Sequence, residues 1–120
     1  MNEYTLTDVI THTDFTFAFC TFLDEFKRSS NKVQMIENPP NAQESQLYNL
    51  CLLAGTAHKL ANEHGLNVPA WVYDEKYIMP EPYFAFNTQN QEYQEFLLED
   101  TPYEFASRNI FIGADAIERV

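Results

Sequence analysis

The sequence holds few of the residues on which several common functions depend. Three glycines among 120 residues leave no room for a glycine-rich loop around a phosphate group. Seven Lys and Arg residues stand against eighteen Asp and Glu residues, so the net charge at pH 7 is −11. Because a nucleic-acid-binding surface needs cations that displace phosphate counterions, we expect no direct contact with DNA or RNA.

Long apolar runs and cysteines are scarce too. No stretch of about 18 apolar residues occurs, so the sequence predicts no membrane-spanning helix. The first residues lack the basic and apolar segments of a secretory signal. Cys20 and Cys51 are too few for a disulfide framework, and each stands beside apolar residues in a helical pattern. We therefore expect buried, reduced thiols in a cytoplasmic protein.

Aromatic residues, in contrast, are plentiful. Ten Phe, seven Tyr and one Trp make up 15% of the chain, and hydrophobic residues together make up 45%. A chain of this length can bury roughly two-thirds of the surface that it exposes when unfolded. We predict one folded domain over residues 1–120.

Helical spacing of apolar residues predicts an all-α fold, a small irregular helical bundle. A capping-box pattern at residues 5–8 predicts a short helix over 6–11. A stripe of phenylalanines predicts a second helix that starts at Thr13 and Asp14, with an acid near its positive end. A loop is expected over 29–41. A central helix is expected over 42–64, with Asn41 as its N-cap and Gly65 as the residue that ends it. Gly55 inside this helix indicates the close approach of a neighbouring helix.

Residues 66–90 have a different character. Three prolines and six aromatic residues fall in this segment, and prolines at that density exclude a long helix. We predict an extended strap that runs between the central helix and the C-terminal helices, with its rings packed on the helices.

The C-terminal segment returns to a helical pattern. A helix is predicted over 91–100, with an inward face made of Tyr93, Phe96 and Leu97. A second capping-box pattern at 101–104, with proline in the first helical position, predicts a short helix that ends near Asn109. A last turn or two is expected over 114–119.

The aromatic residues include candidates for a partner surface. Trp71, Tyr73 and Tyr77 of the strap could anchor in pockets of another protein, as aromatic hot spots do. Phe17 points about 160° away from the phenylalanine stripe of its helix and could contact a partner as well. The alternative for all four rings is burial in the core.

Three other residues are candidates for chemistry. His58 lies on the apolar line of the central helix and could be a general base, or a core histidine satisfied by one hydrogen bond. Arg108 could form a buried tether that clamps Glu104 at i−4 and a carboxylate or carbonyl elsewhere, or it could receive an acidic or phosphorylated ligand. We expect no metal, because no Glu-x-x-His or His-Glu-x-x-His pattern occurs, and we expect no cofactor.

Two stretches resemble runs from a family of small uncharacterised bacterial proteins. Residues 68–72, Val-Pro-Ala-Trp-Val, with Tyr83 and Phe84 further on, resemble a P-x-W-V … P-W-F run, from which the chain departs at Tyr83. Residues 102–112 resemble a P-x-x-F-x-x-R-N-I-F-V run. In this family some members follow a helix-turn-helix module, and some lie beside nucleotidyltransferase-type proteins in toxin–antitoxin-like pairs. This chain looks like a stand-alone member.

We interpret the sequence as a non-enzymatic protein-interaction domain, and the resemblance implies an antitoxin-like or regulatory partner of a neighbouring protein. The acidic surface favours a basic protein partner. One alternative is a small enzyme or ligand-binding domain, with a pocket around His58 and Arg108. A second alternative is a structural module that forms a homodimer through Phe17 and the strap.

Overall fold

The computed structural model describes residues 4–41 and 47–117. These residues form mostly helix, which confirms the predicted all-α class, and the only sheet within them is a pair of two-residue strands. No helix in this part of the chain is long and apolar enough to cross a membrane. The elements are α1 (Leu6–Thr11), α2 (Phe15–Arg28), α3 (Lys32–Ile36), α4 (Leu47–Glu63), β1 (Tyr83–Phe84), α5 (Gln91–Asp100), α6 (Tyr103–Ala106) and β2 (Ile110–Phe111).

The first two helices begin as the sequence predicts. The Thr5 hydroxyl accepts from the Asp8 backbone N–H, while the Asp8 carboxylate accepts from the Thr5 backbone N–H, so both bonds of the capping box at the start of α1 are present. Asp14 caps α2 by accepting from the Phe17 N–H at 3.0 Å. Helix α2 then buries Phe22 and Phe26 completely.

The predicted loop over 29–41 contains a one-turn helix, α3, so that prediction was wrong over five residues. Met35 and Ile36 at its end are buried, whereas Val33 is exposed. The short run of apolar residues therefore folds inward at one end only, and the Ile36 carbonyl accepts a hydrogen bond from the Trp71 indole at 2.9 Å.

Helix α4 is the centre of the fold, because residues 51–58 are buried without interruption. It ends where predicted. Gly65 has a φ of +66°, and the Leu66 N–H bonds the Ala61 carbonyl at 2.8 Å while the Gly65 N–H reaches the Asn62 carbonyl. This is the pattern of a Schellman cap. The predicted beginning over 42–46, with any capping of it by Asn41, lies outside the described residues.

Gly55 permits the contact between α4 and α6. A Cβ atom at this position would lie 2.7 Å from Cδ1 of Phe105, a ring with no exposed surface, and 3.2 Å from the Glu104 carbonyl oxygen. The predicted close approach at Gly55 is confirmed, and it places α6 directly against the middle of the central helix.

The strap over 66–90 is less extended than predicted. It contains single 3₁₀ turns at Ala70–Tyr73, Glu75–Tyr77 and Ala85–Asn87. Between the last two turns, β1 pairs in parallel with β2, with Tyr83 opposite Ile110 and Phe84 opposite Phe111. Backbone bonds from the Met79 N–H to the Arg108 carbonyl and from the Tyr83 N–H to the Asn109 carbonyl extend this pairing. The strap is thereby fixed to the end of α6.

The C-terminal segment confirms three predictions and corrects two. Helix α5 has the predicted bounds, and Asn109 ends the α6 region with a φ of +62°. The inward face of α5 was predicted wrongly, because only Leu97 is buried. The second capping box is absent: the Thr101 hydroxyl accepts from the Gly113 N–H instead, and α6 follows Pro102 with no side-chain cap. Residues 114–117 form turn, as predicted for the last segment, and 118–119 lie outside the described residues.

Candidate functional site

Arg108 lies where α4, α6 and the strap meet. Its side chain is only 4% exposed. One terminal nitrogen, Nη1, donates to the Glu104 carbonyl at 2.6 Å and contacts His58 Nδ1 at 3.2 Å, and the other, Nη2, donates to the Val72 carbonyl at 2.6 Å. The predicted tether is therefore present, and one guanidinium joins three segments that are distant in sequence.

The partner of the tether differs from the predicted one. We expected an ion pair with the Glu104 carboxylate, but Arg108 bonds the Glu104 backbone carbonyl, and the carboxylate accepts from the Asn62 amide at 2.8 Å. Because α6 has ended by this point, Arg108 supplies a donor to one of its last carbonyls. Burial would raise the pKa of Glu104, but the hydrogen bond from Asn62 and nearby positive charge lower it overall.

The contact with Arg108 fixes the protonation of His58. A guanidinium only donates, so Nδ1 of His58 is the acceptor and the proton of the neutral imidazole lies on Nε2. Burial lowers the pKa of His58, and the charge of Arg108 lowers it further. The rings of Tyr73 and Tyr103 meet the imidazole edge-on, at centroid distances of 5.4 and 6.2 Å. His58 is a neutral, buried histidine held between two tyrosines.

A pocket of about 190 Å³ opens beside these groups. The lining residues of this pocket are His58, Val72, Tyr73, Asp74, Ile78, Tyr103, Ser107 and Arg108. The structure thus brings His58 and Arg108 together, as the ligand-binding alternative requires, and places only the backbone of Glu104 with them.

Other candidate chemistry is not assembled in the described residues. Cys51 is buried in α4, where burial raises the pKa of its thiol to about 11, and Cys20 is half-buried. Within 4–41 and 47–117, no three His, Cys, Asp or Glu side chains come close enough to hold a metal ion.

The predicted partner residues divide into two pairs. Tyr77 is 3% exposed and belongs to the core, so its assignment to a partner surface was wrong. Trp71 is half-buried, meets Tyr77 edge-to-face at 5.3 Å and donates to the Ile36 carbonyl, so it mainly holds the strap to α3. Tyr73 and Phe17, in contrast, are exposed.

Sequence reasoning missed a larger exposed surface. Phe86 is 88% exposed, Phe96 is 54% exposed, and Tyr93 is partly exposed and stacks on Phe96 at a centroid distance of 6.3 Å. We call these three residues the aromatic rim. Phe86 and Tyr93 border an apolar groove of about 450 Å³, whose other lining residues are Phe19, Tyr48, Leu52, Tyr83, Ala85, Ile112, Asp115, Ala116 and Ile117.

Phe86 is held outward by an unfavourable backbone conformation. Its φ of 60° and ψ of 18° lie in the left-handed region, and Asn87 follows at a φ of 53°. A bulky residue in this region is an outlier that costs of the order of 1–3 kcal/mol. The turn is fixed on both sides, by the β1–β2 pairing before it and by the bond from the Gln94 side chain to the Thr88 carbonyl after it. The sequence marks this turn only by Asn87, a residue type that tolerates the left-handed conformation, since the turn contains neither glycine nor proline.

Negative charge surrounds the aromatic rim. Residues 81–117 include seven acidic side chains and one basic side chain, and the basic one is the buried Arg108. On α5, Glu92 and Glu99 are four residues before and three residues after Phe96, the spacing that places side chains side by side on a helix. An exposed phenyl ring thus stands between two carboxylates.

Comparison with known proteins finds no match. No family of known proteins fits the chain, and no curated protein or solved structure is significantly similar to it. Its function must therefore be argued from two surfaces, the aromatic rim with its groove and the pocket beside Arg108.

Proposed function

We propose that this protein is a non-enzymatic interaction domain that binds a basic protein partner through the aromatic rim and its groove. The observation that carries the proposal is Phe86, a ring 88% exposed on a left-handed backbone at the border of an apolar groove. Strain of this kind persists where the surrounding structure enforces it, and it concentrates at binding sites. Tyr73 and Phe17, the exposed candidates from the sequence, lie outside the groove lining and are not part of this surface.

The negative charge around the aromatic rim indicates which kind of partner would bind there. The carboxylates of α5 flank the rim, and Asp115 lies in the groove itself. A second copy of this chain would bring another net charge of −11 to the same surface, so like charges would oppose self-association. A partner segment with apolar side chains for the groove, and with Lys or Arg beside them for Glu92 and Glu99, matches both features.

The resemblance suggests where to find such a partner. Some members of the family that the sequence resembles lie beside nucleotidyltransferase-type proteins, so we propose that the partner is encoded next to this chain and that the pair is toxin–antitoxin-like. The charge argument adds a criterion, since the bound segment of that neighbour should be basic.

The test is co-purification with the products of the flanking genes, followed by binding kinetics. Phe86→Asn removes the ring and places a residue that tolerates the left-handed conformation, so it should raise the thermal midpoint while it weakens binding at least tenfold. Phe96→Ser should weaken binding by a similar factor without the gain in stability. Phe17→Ala is the control, a ring outside the groove lining that is about as exposed as Phe96, and it should bind as the wild type does.

Salt supplies a second readout. Raising ionic strength should slow association more than it speeds dissociation, because screening acts on the long-range encounter. A neighbour captured equally well by the Phe86 and Phe96 variants would overturn the assignment of the surface. A dimer of this chain that the same two variants dissociate would replace the basic partner by a second copy.

A further inference from the structure

The pocket beside His58 and Arg108 lies apart from the proposed interaction surface. It shares no lining residue with the groove, so a ligand there would be independent of the proposed partner. Arg108 carries a full positive charge at 4% exposure. No carboxylate among the described residues forms an ion pair with it, although the charge of Glu104 acts on it from a greater distance. A buried charge without a counter-ion is costly.

The Arg108 guanidinium also leaves some of its hydrogen-bond donors without a partner. A guanidinium has five N–H donors, and three of them reach the Glu104 carbonyl, the Val72 carbonyl and His58 Nδ1. Nε is buried and has no hydrogen-bond partner among the described residues. Nε is closed off from solvent, so one N–H of Nη2 remains as a donor on a guanidinium that lines the pocket.

The other walls of the pocket suit a small organic anion. His58 is neutral and carries its proton on Nε2, which has no bond to another described side chain. Tyr73 and Tyr103 add hydroxyl groups and ring surface, and Ile78 adds apolar surface. Asp74 is the one carboxylate in the lining, and its Oδ1 accepts from the Lys76 N–H at 3.0 Å.

We propose that this pocket binds a small monocarboxylate, with its oxygens on the remaining N–H of Arg108 Nη2 and on the N–H of His58 Nε2, and its apolar body against the tyrosine rings. Arginine matches the planar geometry of a carboxylate and loses little entropy when it binds one. A single cation with Asp74 nearby favours one negative charge over the two of a phosphate. The volume of about 190 Å³ is close to that of a cavity that holds one benzene-sized molecule, so a small ligand fits.

The test is titration of the folded protein with benzoate, acetate and inorganic phosphate at constant ionic strength and pH 7. The ring proton signals of His58, Tyr73 and Tyr103 in nuclear magnetic resonance spectra report binding at the pocket. We expect saturable shifts with benzoate, at least tenfold weaker binding of acetate, which lacks an apolar body, and none with phosphate.

Arg108 variants can fail to fold, so a different residue carries the mutational test. Ser107 is exposed, lines the pocket and has an ordinary helical backbone conformation, so Ser107→Phe should fill the pocket without removing a hydrogen bond of the tether. This variant should lose benzoate binding at least tenfold, whereas Ser30→Phe, at an exposed serine outside the lining, should retain it. Absence of saturable benzoate shifts in the wild type, tighter binding of phosphate, or equal benzoate affinity in Ser107→Phe would each overturn the proposal.

Discussion

Replacing Arg108 by lysine and by methionine separates the contribution of its hydrogen bonds to stability from the contribution of its charge. In the native protein its two terminal nitrogens each donate to a carbonyl at 2.6 Å, those of Glu104 and Val72. The single nitrogen of lysine cannot occupy both positions, so at least one carbonyl loses its donor, at a cost of about 1–3 kcal/mol. The ammonium is also more strongly hydrated than a guanidinium, so its burial costs more. We expect Arg108→Lys to lower the free energy of unfolding by about 2–4 kcal/mol.

Methionine keeps the packed stem but removes both donors and the charge. Two carbonyls left without a donor cost about 2–6 kcal/mol. Relief from burying a cation that has no carboxylate partner offsets several kcal/mol of that cost. The net loss should be about 0–3 kcal/mol, so the apolar replacement should be tolerated better than the charged one. A buried ion pair, which the spacing of Glu104 and Arg108 suggests, predicts the reverse order.

Urea unfolding followed by circular dichroism measures both variants. A loss of about 3 kcal/mol lowers the midpoint by about 1–3 M. A wild-type midpoint for Arg108→Lys would show that positive charge alone suffices, and would refute the geometric argument. A midpoint for Arg108→Met below that of Arg108→Lys would show that the charge has a favourable partner, contrary to its bonds with carbonyls.

Helix α4 offers two further tests. Gly55→Ala should destabilise the protein by about 1–2 kcal/mol, because the clash with Phe105 at 2.7 Å exceeds a gain of about 1 kcal/mol in helix propensity. The double variant with Phe105→Leu should lose less stability than the sum of the two single losses. His58 has a lowered pKa when folded, so the unfolded chain binds its proton first, and stability should fall as pH drops from 7.5 to 5.5, by at most about 1.4 kcal/mol per pH unit. His58→Gln should flatten this dependence of stability on pH, whereas His64→Gln, at an exposed histidine, should not. Urea unfolding at each pH measures the dependence. The same dependence in the wild type and both variants would contradict its origin in His58.

Local signals in the sequence predicted the parts of the fold that local interactions decide. The capping box at Thr5 and Asp8, the cap at Asp14 and the Schellman end at Gly65 each involve residues within five positions of one another. The close approach at Gly55 was also predictable, because a glycine inside an apolar helix needs a packing reason. These signals predicted the bounds of α1 and α5 and the ends of α2 and α4.

The errors arose where a distant segment competes for the same group. Thr101 has the right spacing for a capping box with Glu104, but its hydroxyl accepts from Gly113, twelve residues away. Arg108 and Glu104 have the right spacing for an ion pair, but Asn62 of α4 takes the carboxylate. In both cases, tertiary contacts that periodicity cannot reveal changed the partner of a correctly chosen residue.

The exposed surfaces were the hardest to predict, since an aromatic residue at a helical spacing has the pattern of a core residue whether or not a neighbouring element covers it. Tyr93, Phe96 and Leu97 have the same pattern as a buried face, yet Leu97 alone is buried in α5. The core of the described residues is already filled by α2, α4 and the strap, and α5 packs on its edge beside β2. Its remaining rings therefore stay on the surface beside Phe86, where folding gains little from them. Folding leaves these apolar groups exposed, and a strained backbone presents one of them. An intermolecular contact explains both features better than the stability of the isolated domain does.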